Sequence, residues 1–132
     1  MNTLAELDTE SSELDPVLDF AVIGAGISGL TAASKINDLG FIVGVFEKAR
    51  GTGGRMSSKR VAGDDQYMAF DLGCTSITAQ SAEFANQLKS WNLKGVLAPW
   101  WENYHGLVHY VGVPRNSSLT RHLSKNLECH FG

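Results

Sequence analysis

Hydrophobic residues change their spacing several times along the chain. Val17, Leu18, Phe20, Ala21, Val22 and Ile23 form a nearly unbroken apolar run, the pattern of a central parallel strand buried on both faces. Gly24 ends it. From Ile27 to Leu39 the spacing becomes helical, with Leu30, Ala33, Ile36 and Leu39 on one side and Gly40 placed as a C-terminal cap. A second apolar run, rich in β-branched residues, extends from Phe41 to Phe46 and stops at Glu47. Strand, glycine turn, helix and strand make a βαβ unit, so the expected fold class is α/β with a parallel sheet.

Beyond Glu47 the pattern weakens. Residues 48–66 are basic and then polar and include Gly51, Gly53, Gly54 and Gly63, which predicts a long irregular connection of the kind that usually has a function. Tyr67 to Phe70 suits a short strand. Ser81 to Trp91 suits an amphipathic helix with Ser81 as N-cap and Phe84, Leu88 and Trp91 on one face. The stretch from Val96 to Tyr110 contains Trp100, Trp101, Tyr104, His105 and His109 without clear periodicity. Val108 to Val113 reads as a strand, Ser117 to Lys125 as a helix through Leu119 and Leu123, and Glu128 to Phe131 as the start of another strand. Residues 1–16 are acidic, end at Pro16 and have few large apolar side chains, so they are expected to form a disordered tail ahead of one domain at 17–132.

Composition adds a charge asymmetry. The formal net charge is −3, but six of the fourteen acidic residues precede the first basic residue, Lys35. Five of the eleven basic residues (Lys48, Arg50, Arg55, Lys59, Arg60) fall within thirteen positions. Such a cluster suits either nucleic acid or one bound polyphosphate, and the interleaved glycines favour the polyphosphate. Cys74 and Cys129 have neither CxxC spacing nor metal-ligand company, so neither a disulfide framework nor a zinc site is indicated. No apolar run approaches the ~18 residues of a membrane span, and no signal-peptide pattern opens the chain. A cytoplasmic protein with no membrane partner is the expectation.

The chemistry-bearing motif is Gly24-Ala25-Gly26-Ile27-Ser28-Gly29. It follows a predicted strand, opens a predicted helix, and is followed eighteen residues after Gly29 by Glu47, which is the context of a Rossmann-type dinucleotide site. Gly24 permits the tight turn, Gly26 lets backbone approach a pyrophosphate, and Gly29 lets helix pack closely on strand. The pyrophosphate would sit on free N–H groups at the positive end of the helix dipole. Glu47 would accept hydrogen bonds from the adenosine ribose hydroxyls, which disfavours a 2′-phosphate and points to FAD or NAD rather than NADP.

The next segment, Lys48-Ala49-Arg50-Gly51-Thr52-Gly53-Gly54-Arg55-Met56-Ser57-Ser58, resembles the R-x-G-G-R-x-x-S/T element after the first βαβ unit in the flavin-dependent amine oxidase superfamily. In that family the glycines bring the loop close to the FAD pyrophosphate and the arginines supply charge to it. Four further stretches narrow the resemblance to the renalase-like branch. They are Arg55 to Arg60, the D-x-G turn at Phe70-Asp71-Leu72-Gly73, Val96 to Trp100, and Tyr110 to Pro114.

The resemblance covers about Leu18 to Phe131 and implies an incomplete, N-terminal part of an FAD-binding domain. Its cofactor contacts would come from Gly24, Ala25, Gly26, Ile27, Ser28, Gly29, Glu47, Lys48, Arg50, Gly53, Gly54, Arg55, Met56, Asp71 and Gly73. It also implies hydride removal from a small-molecule substrate, an isomeric dihydronicotinamide dinucleotide, to FAD and then to dioxygen. A flavin amine oxidase and a nucleotide-binding fragment without turnover are the alternatives. Two departures fall at the flavin-ring end. Cys74-Thr75-Ser76-Ile77 replaces the family's Ala-Gln-Tyr-Phe-like run, and Arg115-Asn116 stands where Gly-Met is usual, placing bulk where backbone approaches the flavin. No residue is singled out as catalytic acid or base, and the ending at Gly132 predicts an exposed strand edge and a tendency to aggregate.

Overall fold

A computed structural model describes residues 17–62 and 67–132. The acidic tail expected at 1–16 lies outside the described residues. The first βαβ unit comprises β1 (Phe20–Ile23), α1 (Ile27–Asp38) and β2 (Val43–Glu47), with β1 and β2 parallel and Phe20 level with Val43. Gly40, at φ 88°, follows the helix and donates its N–H to the Asn37 carbonyl, the left-handed stop that glycine tolerates. Farther along the chain, α2 (Ala82–Leu93) begins at Ser81, whose hydroxyl accepts the Phe84 N–H, and α3 (Ser117–Ser124) precedes a last strand at Glu128–Phe131. That last strand pairs parallel with β2, so among the described residues the main sheet has three strands with β2 in the middle.

Two expectations are corrected here. The first concerns β1, which among the described residues is an edge strand, not a central one, and is largely exposed along Phe20–Ile23. Its apolar run exceeds what a three-stranded sheet can cover, because α1 and α3 pack on one face alone. Between the helices and the sheet Ala25, Leu30, Ala33, Val43 and Val45 form one core. On the other face Phe46 stacks on His130 with centroids 4.7 Å apart, and Ile23 is 81% exposed. The second concerns 48–66, which is not irregular throughout. Gly54–Met56 form a 3₁₀ turn, and β3 (Ser58–Ala62) pairs antiparallel with β4 (Tyr67–Asp71).

The stretch without periodicity resolves into β5 (Leu97–Glu102) and β6 (Val108–Gly112), an antiparallel pair with an irregularity between Pro99 and Trp101. With these, the last strand Glu128–Phe131 becomes β7. A second core, formed by Met56, Leu88, Trp91, Val96, Leu97 and Leu119, joins α2, β5 and α3. Leu123 packs on both cores and ties the two halves together. No helix among the described residues is long and apolar enough to cross a membrane.

Candidate dinucleotide site

The glycine turn between β1 and α1 is built by close approach. A Cβ on Gly29 would stand 2.1 Å from the Gly24 carbonyl oxygen and 3.3 Å from a Val22 methyl, so only glycine lets α1 seat this tightly on the end of β1. Gly24 itself adopts φ 99°. The first turn of α1 has no side-chain cap on its N–H groups and no acidic residue, which leaves those amides and the helix dipole directed outward for an anion.

A second glycine segment closes on the first. Gly53 donates its N–H to the Ala25 carbonyl (3.0 Å) and pairs with Gly26 in an isolated parallel bridge. Gly54, at φ 55°, comes so near that a Cβ there would meet the Gly26 Cα at 3.3 Å. Two backbone segments without side chains therefore face each other across one concave edge. Arg50 and Arg55 extend from the second segment and are exposed, while Met56 turns inward to the core. Gly73 sits against this loop, with the Arg55 carbonyl oxygen 2.5 Å from where its Cβ would be, and the neighbouring Cys74 N–H donates to that oxygen.

Glu47 ends β2 beside the turn. One carboxylate oxygen accepts the Ala25 N–H (2.8 Å) and the other the Ala49 N–H (2.9 Å). These bonds, Ala49 first and Ala25 second, hold its carboxyl below the usual carboxylate range. Each oxygen keeps a lone pair for a further donor such as a ribose hydroxyl. Lys48, Ile23, Phe46 and Phe131 surround Glu47 in an open cavity of about 380 Å³ at the carboxyl ends of the strands, the end where open α/β sheets take ligands.

Asp71 is occupied differently from its neighbours in sequence. Its carboxylate accepts from the Ser58 hydroxyl (2.6 Å) and the Asn116 N–H (3.1 Å), bracing the start of α3. Asn116 is fully buried: its Oδ1 accepts the Gly112 N–H and its Nδ2 donates to the Cys74 carbonyl, both at 2.7 Å. The bulk expected beside a flavin at this position is instead absorbed inward, because two backbone groups, the Gly112 N–H and the Cys74 carbonyl, claim the side-chain amide. Sequence reading overlooked this clamp, and the one local signal was an Asn before Ser at a helix start.

Thr52 was overlooked too. Its hydroxyl reaches Thr120 on α3 (3.2 Å) and anchors the glycine loop from behind. Burial raises the Cys74 thiol pKa, which keeps it protonated and unreactive. His105 lies in the β5–β6 turn and His109 on β6, stacked on Trp101 with centroids 4.0 Å apart.

Residues 22–89, just over half of the chain, match the NAD(P)-binding Rossmann-like domain family. The chain belongs to that family. The matched span begins in β1 and includes both glycine segments and Glu47. Among curated relatives, the chain is 39% identical over 61 residues to lysine-specific histone demethylase 1 homolog 2 of Arabidopsis thaliana, covering 46% of this chain and 8% of the relative. It is 45% identical over 56 residues to the zeta-carotene-forming phytoene desaturase of Myxococcus xanthus (42% and 10%). It is 42% identical over 60 residues to a 4,4'-diapophytoene desaturase of Staphylococcus aureus (46% and 11%). The chain thus spans about a tenth of the length of these relatives. A solved structure of a putrescine oxidase triple mutant aligns with 79% of the chain and 24% of its own length, at 23% identity and a TM-score of 0.42.

Proposed function

We propose that residues 17–132 form the cofactor-docking part of an FAD-dependent oxidoreductase, and that the cofactor's ADP half is held between the two glycine segments. The observation that carries this reading is the Gly53–Gly54 approach to Ala25–Gly26. A simple βα turn needs no second backbone segment beside it. A polyphosphate gains from one, because amides then reach it from two sides and Arg50 and Arg55 can add charge-assisted bonds. The free amides at the start of α1, the lone pairs of Glu47 and the absence of Cβ atoms across the cradle all fit an adenosine diphosphate without a 2′-phosphate.

FAD is favoured over NAD by the likeness of Arg50 to Ser58 to the amine oxidase element and by relatives that include desaturases and a demethylase. Bound FAD would supply a two-electron acceptor, returned to the oxidised state by dioxygen with release of hydrogen peroxide. Within that chemistry the renalase-like reading, with isomeric dihydronicotinamide dinucleotides as the reduced substrate, rests on the ordered likeness of Phe70–Gly73, Val96–Trp100 and Tyr110–Pro114. In the fold Val113 donates to the Val96 carbonyl, and Asn116, just past Pro114, reaches Gly112 and the Cys74 carbonyl just past Gly73.

The test is to purify the chain with added FAD and pass it through gel filtration. Flavin absorption that travels with the protein supports the reading, and a colourless protein overturns it. If flavin is held, peroxide released with isomeric dihydronicotinamides, and not with simple amines, supports the finer assignment; the reverse favours an amine oxidase.

A further inference from the structure

Away from the glycine cradle, α1, α2 and α3 leave a cavity of about 510 Å³ between them. Helices α1 and α2 make little contact, so the space is a pocket between diverging helices. Apolar side chains line part of it: Ile27, Phe84, Trp91 and Leu123. Phe84 meets Trp91 edge-on, with centroids 6.3 Å apart at 84°, giving an aromatic corner. Ile27 alone is shared with the dinucleotide site.

Lys35, Lys94 and His122 border the cavity, as do Asp38 and Glu83. Among the described residues the one ion pair within 4.0 Å is His130–Glu128, so neither lysine forms an ion pair with the nearby acids. Lys94 lies near His122, and that imidazole is held below its ordinary pKa by burial first and then by Lys94 and Lys125. Lys94, without an ion-pair partner within 4.0 Å among the described residues, and the His122 imidazole therefore border the same cavity as the Phe84–Trp91 pair. The volume falls within the roughly 300–1,000 Å³ of small-molecule sites.

We propose that this pocket is a second ligand site, distinct from the dinucleotide cradle, for a small aromatic carboxylate whose ring packs on Phe84 and Trp91 and whose carboxylate meets Lys94 and His122. The carboxylate would pair Lys94, and the flat ring would fill the gap that α1 and α2 leave. Thr31, Ser34 and Gln87, also in the lining, can donate to further acceptor groups on the ligand.

The three tryptophans supply the test, because Trp91 lines the pocket while Trp100 and Trp101 sit on β5. The full chain, with indole nitrogens labelled, is titrated with 2-naphthoate and followed by two-dimensional NMR. The expected result is a saturable shift of the Trp91 indole with the other two indoles unmoved, undiminished by saturating FAD. Lys94→Glu should weaken binding by about tenfold or more, the scale of one charge-assisted contact. Should that variant fold poorly, the unaltered protein decides with two analogues, since 2-naphthalenemethanol and 2-naphthylmethylamine should each bind at least about tenfold more weakly. Parallel drift of all three indoles, no shift, displacement by FAD, or equal binding of the alcohol or the amine overturns the proposal.

Discussion

Replacing Gly29 with alanine tests how the glycine turn works. The new Cβ would be placed 2.1 Å from the Gly24 carbonyl oxygen, with the Gly24 carbonyl carbon and Val22 Cγ1 each at 3.3 Å. An ordinary carbon–oxygen contact is about 3.3 Å, so the start of α1 must retreat from the end of β1 by roughly 1 Å. Overpacking of this kind costs about 1–3 kcal/mol. Alanine in a helix recovers up to about 1 kcal/mol, leaving a modest net destabilisation.

Binding should suffer more than stability. An amide displaced by roughly 1 Å moves a hydrogen bond of about 2.9 Å out to about 3.9 Å, where it no longer counts as one. Losing two such bonds to a charged pyrophosphate, at about 1.5 kcal/mol each, amounts to about 3 kcal/mol, or a factor of about a hundred in affinity. The assay is FAD titration followed by flavin fluorescence, with thermal unfolding in parallel. Gly51→Ala is the control, because nothing lies within 4 Å of a Cβ there. The reasoning is refuted if Gly29→Ala binds FAD as tightly as the unaltered chain, or if Gly51→Ala loses as much.

Three further outcomes follow from the same geometry. Glu47→Gln keeps one acceptor but sets an NH₂ group against an amide donor, and should weaken FAD binding by about tenfold, one charge-assisted bond. Because the folded pKa of Glu47 is lowered, its contribution to stability is complete above the unfolded value and disappears as pH falls through the folded one, so urea unfolding of Glu47→Gln should show a flatter dependence in that acid range. Asn116→Ala leaves the Gly112 N–H and Cys74 carbonyl without their partner. It should destabilise the chain by about 2–4 kcal/mol, read as a shift of the urea midpoint at constant slope. Ile23→Lys, on the bare face of the edge strand, should reduce self-association in sedimentation velocity while leaving the unfolding midpoint nearly unchanged.

How far the sequence could be read depended on whether one local rule governed each stretch. The βαβ unit was legible because Leu30, Ala33, Val43 and Val45 enter one core at the spacing their elements require. The N-cap at Ser81 was legible because capping is decided within four residues. β3 was not, since Ser58, Lys59, Arg60, Val61 and Ala62 pair only with β4 and bury almost nothing, so no alternation is selected. β5 was hidden by Pro99 and by the irregularity before Trp101, which breaks the period of two.

The edge position of β1 was invisible for another reason. An apolar run records what a strand is able to bury, and sheet order follows from pairings made elsewhere. Gly24, Gly26, Gly29 and Glu47 were singled out from spacing alone, whereas the contacts of Thr52 and Asn116 depend on partners 68 and 42 residues away, beyond the reach of any local motif.

The central claim is that the two glycine segments and Glu47 together dock FAD. It is tested most directly by titrating the uniformly nitrogen-15-labelled chain with FAD and, separately, with NADP⁺, while following the backbone amides. The account predicts saturable one-to-one shifts with FAD at Gly26, Ile27, Ser28, Gly53, Gly54 and Ala49, and far weaker binding of NADP⁺. Shifts confined to one glycine segment, or tighter binding of NADP⁺ than of FAD, would contradict it.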